Sequence, residues 1–258
     1  SNFKNLIFIY FIKLYNDNYK YIHYGDFRIE NKATFYEFLK IISKPTNILS
    51  KITIVEGWHL YELEDLLDLY FKDYKNLDYL NIIADTYLIN SNKDFKSLFL
   101  LFKKQKLKLL NEYKNHHLLN KYTFDEIMII ASLIEKEGIN YNDKLKISSV
   151  IFNRINKKMK LQIDASVIYS ITKGKFKFNR KLNKKDLKIQ DEYNTYFINY
   201  LPPKPICYVG SKTIELIFED YKSDYFYYFY DKFKEVHIFS KTYKEHLDKL
   251  NEYRKKNK

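Results

Sequence analysis

The chain has 258 residues, 46% of them hydrophobic and 18% aromatic, with 45 Lys and Arg against 32 Asp and Glu, for a net charge of +13. That length suits one large domain, or a main domain with a small module. The single cysteine, Cys207, excludes an internal disulfide framework and a cysteine-based zinc site. The basic excess suits either an anionic partner or a Lys-rich coding bias spread over every surface. Its scatter along the chain, apart from the short tail Arg254 to Lys258, favours the second, and no motif that reads nucleic acid is present.

The chain begins Ser1-Asn2 rather than Met, as a piece of a longer protein would. Leu6 to Ile12 is an apolar run, either a strand or the end of a truncated anchor; it is far short of the ~20 residues that span a bilayer. Tyr19 to Tyr24 is strand-like, Gly25-Asp26 marks a turn, and Phe27 to Ile29 continues extended. Thr34 and Glu37 have capping-box spacing and open a helix carrying Phe35, Phe38, Leu39, Ile41 and Ile42, with Pro45 beyond its end. Lys51 to Val55 alternates as a strand does, and Glu56-Gly57 turns the chain. Residues 59–75 and 94–119 read as helical. His116-His117 has no Cys or carboxylate ligand at suitable spacing, so a solvated pair is expected there rather than a metal site.

Thr123 to Gly138 is the organising stretch. Thr123 and Glu126 form a capping box, and Gly138 stops the helix. At about 100° per residue, Phe124, Ile127, Met128, Ile130, Ala131 and Ile134 share one broad apolar stripe. Glu135 falls within that stripe, and Glu137 lies roughly 200° round from it, so the two do not form a paired-carboxylate site. A carboxylate among core side chains is either held in a buried salt bridge or kept protonated; in the second case desolvation raises its pKa, as a general acid requires.

A second helix begins at Asp143, with Ile147, Val150, Ile151 and Ile155 as its core face. Its Ser149, Asn153 and Arg154 face either a cleft or solvent. Asp164 is placed to cap the short helix that follows Leu161-Gln162-Ile163, whereas Gln162 has no local role. Leu201-Pro202-Pro203-Lys204-Pro205 fixes a rigid, non-helical path. Ser211 caps a helix to Phe218, Tyr225 to Tyr230 pairs with Val236 to Phe239, and Ser240 caps a last helix.

Several of these segments, in order, resemble the MltG (YceG-like) endolytic murein transglycosylases. They are Ala131 to Glu137 (ASLIEKE), Val150 to Ile155, Leu161 to Asp164, Val167 to Tyr169, Tyr193-Asn194-Thr195-Tyr196, Leu201 to Ile206 and His237 to Ser240. Further upstream, Ile52 to Gly57 is similar to the family's strand-then-EG junction. Asp85-Thr86-Tyr87 matches only the end of a family segment whose Glu, Gly and Pro are here Tyr79, Leu80 and Ala84.

The resemblance implies an α+β fold: residues 1–56 as a small LysM-like module and residues 57–258 as the catalytic domain. It implies an enzyme held in the bacterial cell membrane by a single N-terminal anchor, missing or truncated here, and facing the cell-wall space. The substrate would be peptidoglycan glycan strands, cut between N-acetylmuramic acid and N-acetylglucosamine to leave a 1,6-anhydro end, with peptidoglycan synthases as partners. The family's catalytic Glu falls on Glu135, and Gln162, Asp164, Tyr193, Asn194, Tyr196, Pro202 and Pro203 would form the sugar groove around it. Neither metal nor organic cofactor is required. The alternative is a catalytically inactive scaffold that binds peptidoglycan.

Overall fold

The computed structural model describes residues 23, 27–45, 48–90 and 94–256. The run Leu6 to Ile12, the expected strand Tyr19 to Tyr24 apart from His23, and the Gly25-Asp26 turn lie outside them. The fold is mixed α+β, and the chain separates into two compact units. One ends at Thr53 and also takes Thr86–Leu100; the other comprises Ile54–Asp85 and Leu101 onward.

In the first unit, α1 (Phe35–Ile42) starts at the expected capping box, with Glu37 N–H donating to Thr34 Oγ1 and Thr34 N–H to Glu37 Oε2. Strand β1 (Leu49–Thr53) pairs antiparallel with β3 (Thr86–Asn90), placing Ile52 opposite Tyr87. Ile52, Tyr87 and Ile89 are buried, the period-2 pattern of a strand with one covered face. Phe27 to Ile29 forms no strand.

In the second unit, α2 spans only Leu60–Leu67. The helix expected over residues 59–75 ends there because Leu63 and Leu67 complete the buried face, while Leu69 and Tyr70 lie exposed. A two-residue strand, β2 (Ile83–Ala84), pairs parallel with β4 (Val209–Gly210). Helix α3 (Phe95–Tyr113) starts in the first unit and ends in the second, and a short 3-10 turn, His117–Asn120, follows it.

At the centre of this unit lies α4 (Phe124–Glu137). Its buried residues run unbroken from Ile127 to Ile134, so the expected stripe is in fact a helix enclosed on every side. Around it pack α5 (Tyr141–Asn156), α6 (Asp164–Thr172), β4 and α7 (Ser211–Phe218). The one polar side chain inside, Ser132, donates to Ile129 O at 2.7 Å and accepts from Ile206 N–H at 3.0 Å. The hairpin β5 (Tyr227–Asp231) and β6 (Val236–Ser240) and helix α8 (Tyr243–Lys256) complete the chain.

Several helix ends differ from expectation. Helix α5 begins at Tyr141 rather than Asp143, capped by Asn140, whose side chain accepts from Asp143 N–H. Gly210 precedes Ser211 as the cap of α7. Ser240 closes β6 instead of capping α8; there Thr242 Oγ1 accepts from Glu245 N–H.

The Thr123 box starts the helix on which the unit is built, with Glu126 N–H donating to Thr123 Oγ1 at 3.1 Å and Thr123 N–H to Glu126 Oε2 at 2.8 Å. Thr123→Ala should cost about 1 kcal/mol, a fall of roughly 2–4 °C in a thermal melt for a protein of this size. An unchanged melting temperature would show that packing alone holds the helix start.

Candidate active site

Two carboxylates leave the last turn of α4 on different sides. Glu135 is almost fully buried, its side chain 4% exposed, and it forms an ion pair with Lys144 of α5. Lys144 Nζ also donates to Thr213 Oγ1 at 2.9 Å, and the second Glu135 oxygen lies 3.5 Å from Gly210 N. Of the two readings of a Glu among core side chains, the buried salt bridge is the one observed. Gly138 makes the approach of Lys144 possible by lack of bulk. Its backbone is extended (φ −82°, ψ 138°), and a Cβ there would meet Lys144 Cγ at 2.3 Å.

Glu137 lines a different cavity, of about 310 Å³, with Arg154, Gln162, Asp164, Tyr196, Tyr228 and His237. Among the described residues, no lysine or arginine forms an ion pair with it. Tyr228 O–H donates to Glu137 Oε2 at 3.1 Å. Burial raises the Glu137 pKa above its ordinary 4.5, and the Asp164 charge adds to the rise; the Tyr228 hydrogen bond, the His237 ring and the Ala165 hydrogen bond only partly offset it. Its place at the C-terminal end of a helix opposes a negative charge further. Burial beside Glu137 pushes the Tyr228 phenol well above its usual value as well, so it remains a donor.

The cavity wall is fixed by hydrogen bonds from distant segments. His237 Nδ1 lies 2.8 Å from Asp143 Oδ2, and that same oxygen accepts from Ile139 N–H at 3.1 Å. With a carboxylate as partner, Nδ1 carries the proton. Arg154 donates to Phe226 O at 2.7 Å and to Leu161 O at 2.6 Å, tying β5 and the Gln162 loop to α5, and its guanidinium covers the Tyr227 ring. Gln162 adopts a left-handed backbone (φ 54°), and its N–H donates to Thr195 O. Asp164 is the first residue of α6 and not its cap; its carboxylate accepts from Tyr196 O–H at 2.7 Å.

Gln162, Asp164 and Tyr196 thus lie together, around Glu137 rather than Glu135. The other expected groove residues line neither that cavity nor the one beside Glu135. Asn194 is fully buried, and its amide holds Leu187 O, Ile189 O and Tyr196 N–H, which is a loop-bracing role. Tyr193 packs on Tyr169, ring centroids 4.7 Å apart, beneath Lys173. Pro202 is buried and Pro203 exposed. Periodicity alone passed over Glu137, Tyr228 and the Asp143–His237 pair. A carboxylate at a helix C-terminus, against the dipole, was the one local signal for Glu137.

A second cavity, of about 460 Å³, is lined by Glu56, Trp58, His59 and Tyr61 at the start of α2, by Glu135 and Lys136, and by Ala165 and Phe176. Burial, followed by the charge of Glu135, raises the Glu56 pKa. Burial, followed by the charge of Lys136, lowers that of His59 to about 4, and its Nδ1 lies 2.9 Å from Ile206 O. Among the described residues, no group of three or more His, Cys, Asp or Glu could hold a metal ion.

An endolytic murein transglycosylase of Bacillus subtilis (strain 168) is 40% identical over 143 residues, 55% of this chain and 38% of its own. One from Streptococcus pneumoniae serotype 2 is 26% identical over 193 residues, 74% of this chain and 32% of its own. The chain therefore spans well under half the length of these curated relatives. The crystal structure of a YceG-like protein from Listeria monocytogenes superposes with a TM-score of 0.66 at 25% identity, covering 95% of this chain and 89% of that one. The model of the YceG-like family matches residues 3–252, and the chain belongs to that family.

Proposed function

We propose that this protein is a lytic transglycosylase acting within peptidoglycan glycan strands, with Glu137 as its acid and base. The observation that carries the reading is one carboxyl group, that of Glu137, raised in pKa by burial, in a polar cavity with Gln162, Tyr196 and the carboxylate of Asp164. The printed name of the curated relatives supplies the substrate class. Protonated Glu137 gives its proton to the glycosidic oxygen as the bond from C1 breaks, and the departing sugar keeps the electron pair. The resulting carboxylate takes the proton from the C6 hydroxyl of the muramic residue, whose oxygen bonds to C1 and closes the 1,6-anhydro ring. Atoms balance without water. Because the sugar supplies its own nucleophile, the second carboxylate of an ordinary glycosidase is not needed. Tyr228 orients the acid, Asp164 adds negative charge beside it, and Gln162 offers hydrogen bonds to the sugar.

The proposal extends to the division at Glu56-Gly57 with a LysM-like first module, and to a protein anchored in the cell membrane, facing the cell wall and working beside peptidoglycan synthases. No helix among the described residues is long and apolar enough to cross a membrane.

A second reading keeps Glu135 as the acid, and its place on the wall of the larger cavity favours it. Mass analysis of digested peptidoglycan separates the two. Glu137→Gln should lose roughly 10²- to 10⁴-fold in anhydromuramyl product while remaining folded. Glu135→Gln leaves Lys144 without its counter-charge and should instead lower stability by about 3–5 kcal/mol, with activity kept in the folded fraction. A folded, inactive Glu135→Gln beside an active Glu137→Gln would return the acid role to Glu135. Inactivity of the unaltered protein would favour the scaffold.

Stability should report Glu137 independently. A carboxyl whose pKa is higher in the folded state costs nothing below its ordinary 4.5 and costs increasingly as pH rises through the raised value. Melts of Glu137→Gln should therefore gain on the unaltered protein as pH increases across that window. A difference in melting temperature that stays flat with pH would mean that Glu137 is not protonated by its surroundings.

A further inference from the structure

We infer that the cavity beside Trp58 is a second saccharide site, which holds N-acetylhexosamine rings of the same glycan strand beyond those at Glu137. This rests on the glycan reading above and extends it to Trp58, Tyr61 and Phe176, which no motif of the chain singles out.

The first observation is contiguity. Lys136 and Ala165 line the Trp58 cavity, whereas their immediate neighbours Glu137 and Asp164 line the other. The end of α4 and the start of α6 therefore form a wall common to both cavities. A polymer cut at an internal bond continues past the cut, and this second cavity is where the shared wall leads.

The second observation is chemistry. The cavity, at about 460 Å³, falls within the ~300–1,000 Å³ of ligand clefts. Trp58, Tyr61 and Phe176 present aromatic surface, and Phe176 is 53% exposed, so core packing does not account for it. Beside these rings lie Glu56, His59 and Lys177. His59 is uncharged at neutral pH because its pKa is lowered to about 4. Aromatic faces receive the C–H side of a pyranose, and neutral or singly placed polar groups meet its hydroxyls and acetamido group. The wall carries both acidic and basic side chains, as suits a neutral sugar better than a polyanion.

The third observation is rigidity. Trp58 closes a turn whose N–H donates to Val55 O, with Gly57 at the third position in the left-handed region (φ +82°), as that turn requires. Gly57 N–H donates to Tyr208 O, Tyr208 N–H to Trp58 O, and Lys136 Nζ to Gly57 O. The indole is thus mounted on a fixed backbone, which reduces the ordering cost of binding.

Trp58 is the sole tryptophan of the chain, so its emission reports this cavity alone. A β-1,4-linked N-acetylglucosamine oligomer titrated into the full chain should change that emission saturably. Phe176→Ala should weaken the titration about tenfold, and Glu137→Gln should leave it intact while cleavage is lost. Emission unchanged by glycan strands at concentrations the protein cuts would overturn the inference and leave the proposed activity standing. A titration by Phe176→Ala identical to that of the unaltered protein would overturn it as well. A saturable change in a protein that cuts no glycan would keep the saccharide site and sink the activity.

Discussion

Enclosure of α4 is the constraint on which the rest of the second unit depends. A helix buried on every side along Ile127–Ile134 cannot end in carboxylates without an answer to their desolvation. The two carboxylates of its last turn receive different answers. Glu135 receives a full counter-charge from Lys144, which Thr213 steadies on its other side. Glu137 receives hydrogen bonds and a weak pull from His237, which burial and the Asp164 charge outweigh. One helix end therefore carries a carboxylate kept as an ion pair and another pressed toward its neutral form. That separation is the physical ground for the different roles proposed for the two.

The cavity around Glu137 is assembled by charge-assisted and backbone hydrogen bonds rather than by apolar contact alone. Arg154 is buried, and burial lowers its pKa, yet its donors are spent on the carbonyls of Lys160, Leu161 and Phe226. It joins α5 and the loop that follows it to Phe226, 72 positions on. Asp143 does the same for β6 through His237 and for the α4–α5 turn through Ile139 N–H. Removal of either group would leave buried carbonyl or N–H groups unpaired, and the cost of those exceeds the worth of the bonds themselves. The +13 charge plays no visible part here, and the one arginine at the site is used structurally.

The amino-acid sequence by itself determined features that act within about four residues. Both threonine capping boxes start helices where their spacing says, and the Tyr225 to Phe239 stretch pairs as a hairpin. The ordered motifs from Ala131 to Ser240 are legible as a family signature, because residue identity along the chain is what such a signature is. Tertiary structure alone decided what each polar side chain does. Glu135 was separated from the groove residues by Lys144, nine positions on, while Glu137 was completed by Tyr228, ninety-one positions away. Asn194, with the residue type of a sugar ligand, is consumed by carbonyls of its own loop, and Asp164, placed like a cap, answers Tyr196 instead. The physical reason is common to all four. Helix starts and strand alternation depend on local backbone geometry, whereas burial and pairing depend on which distant segment arrives alongside, and no local pattern encodes that.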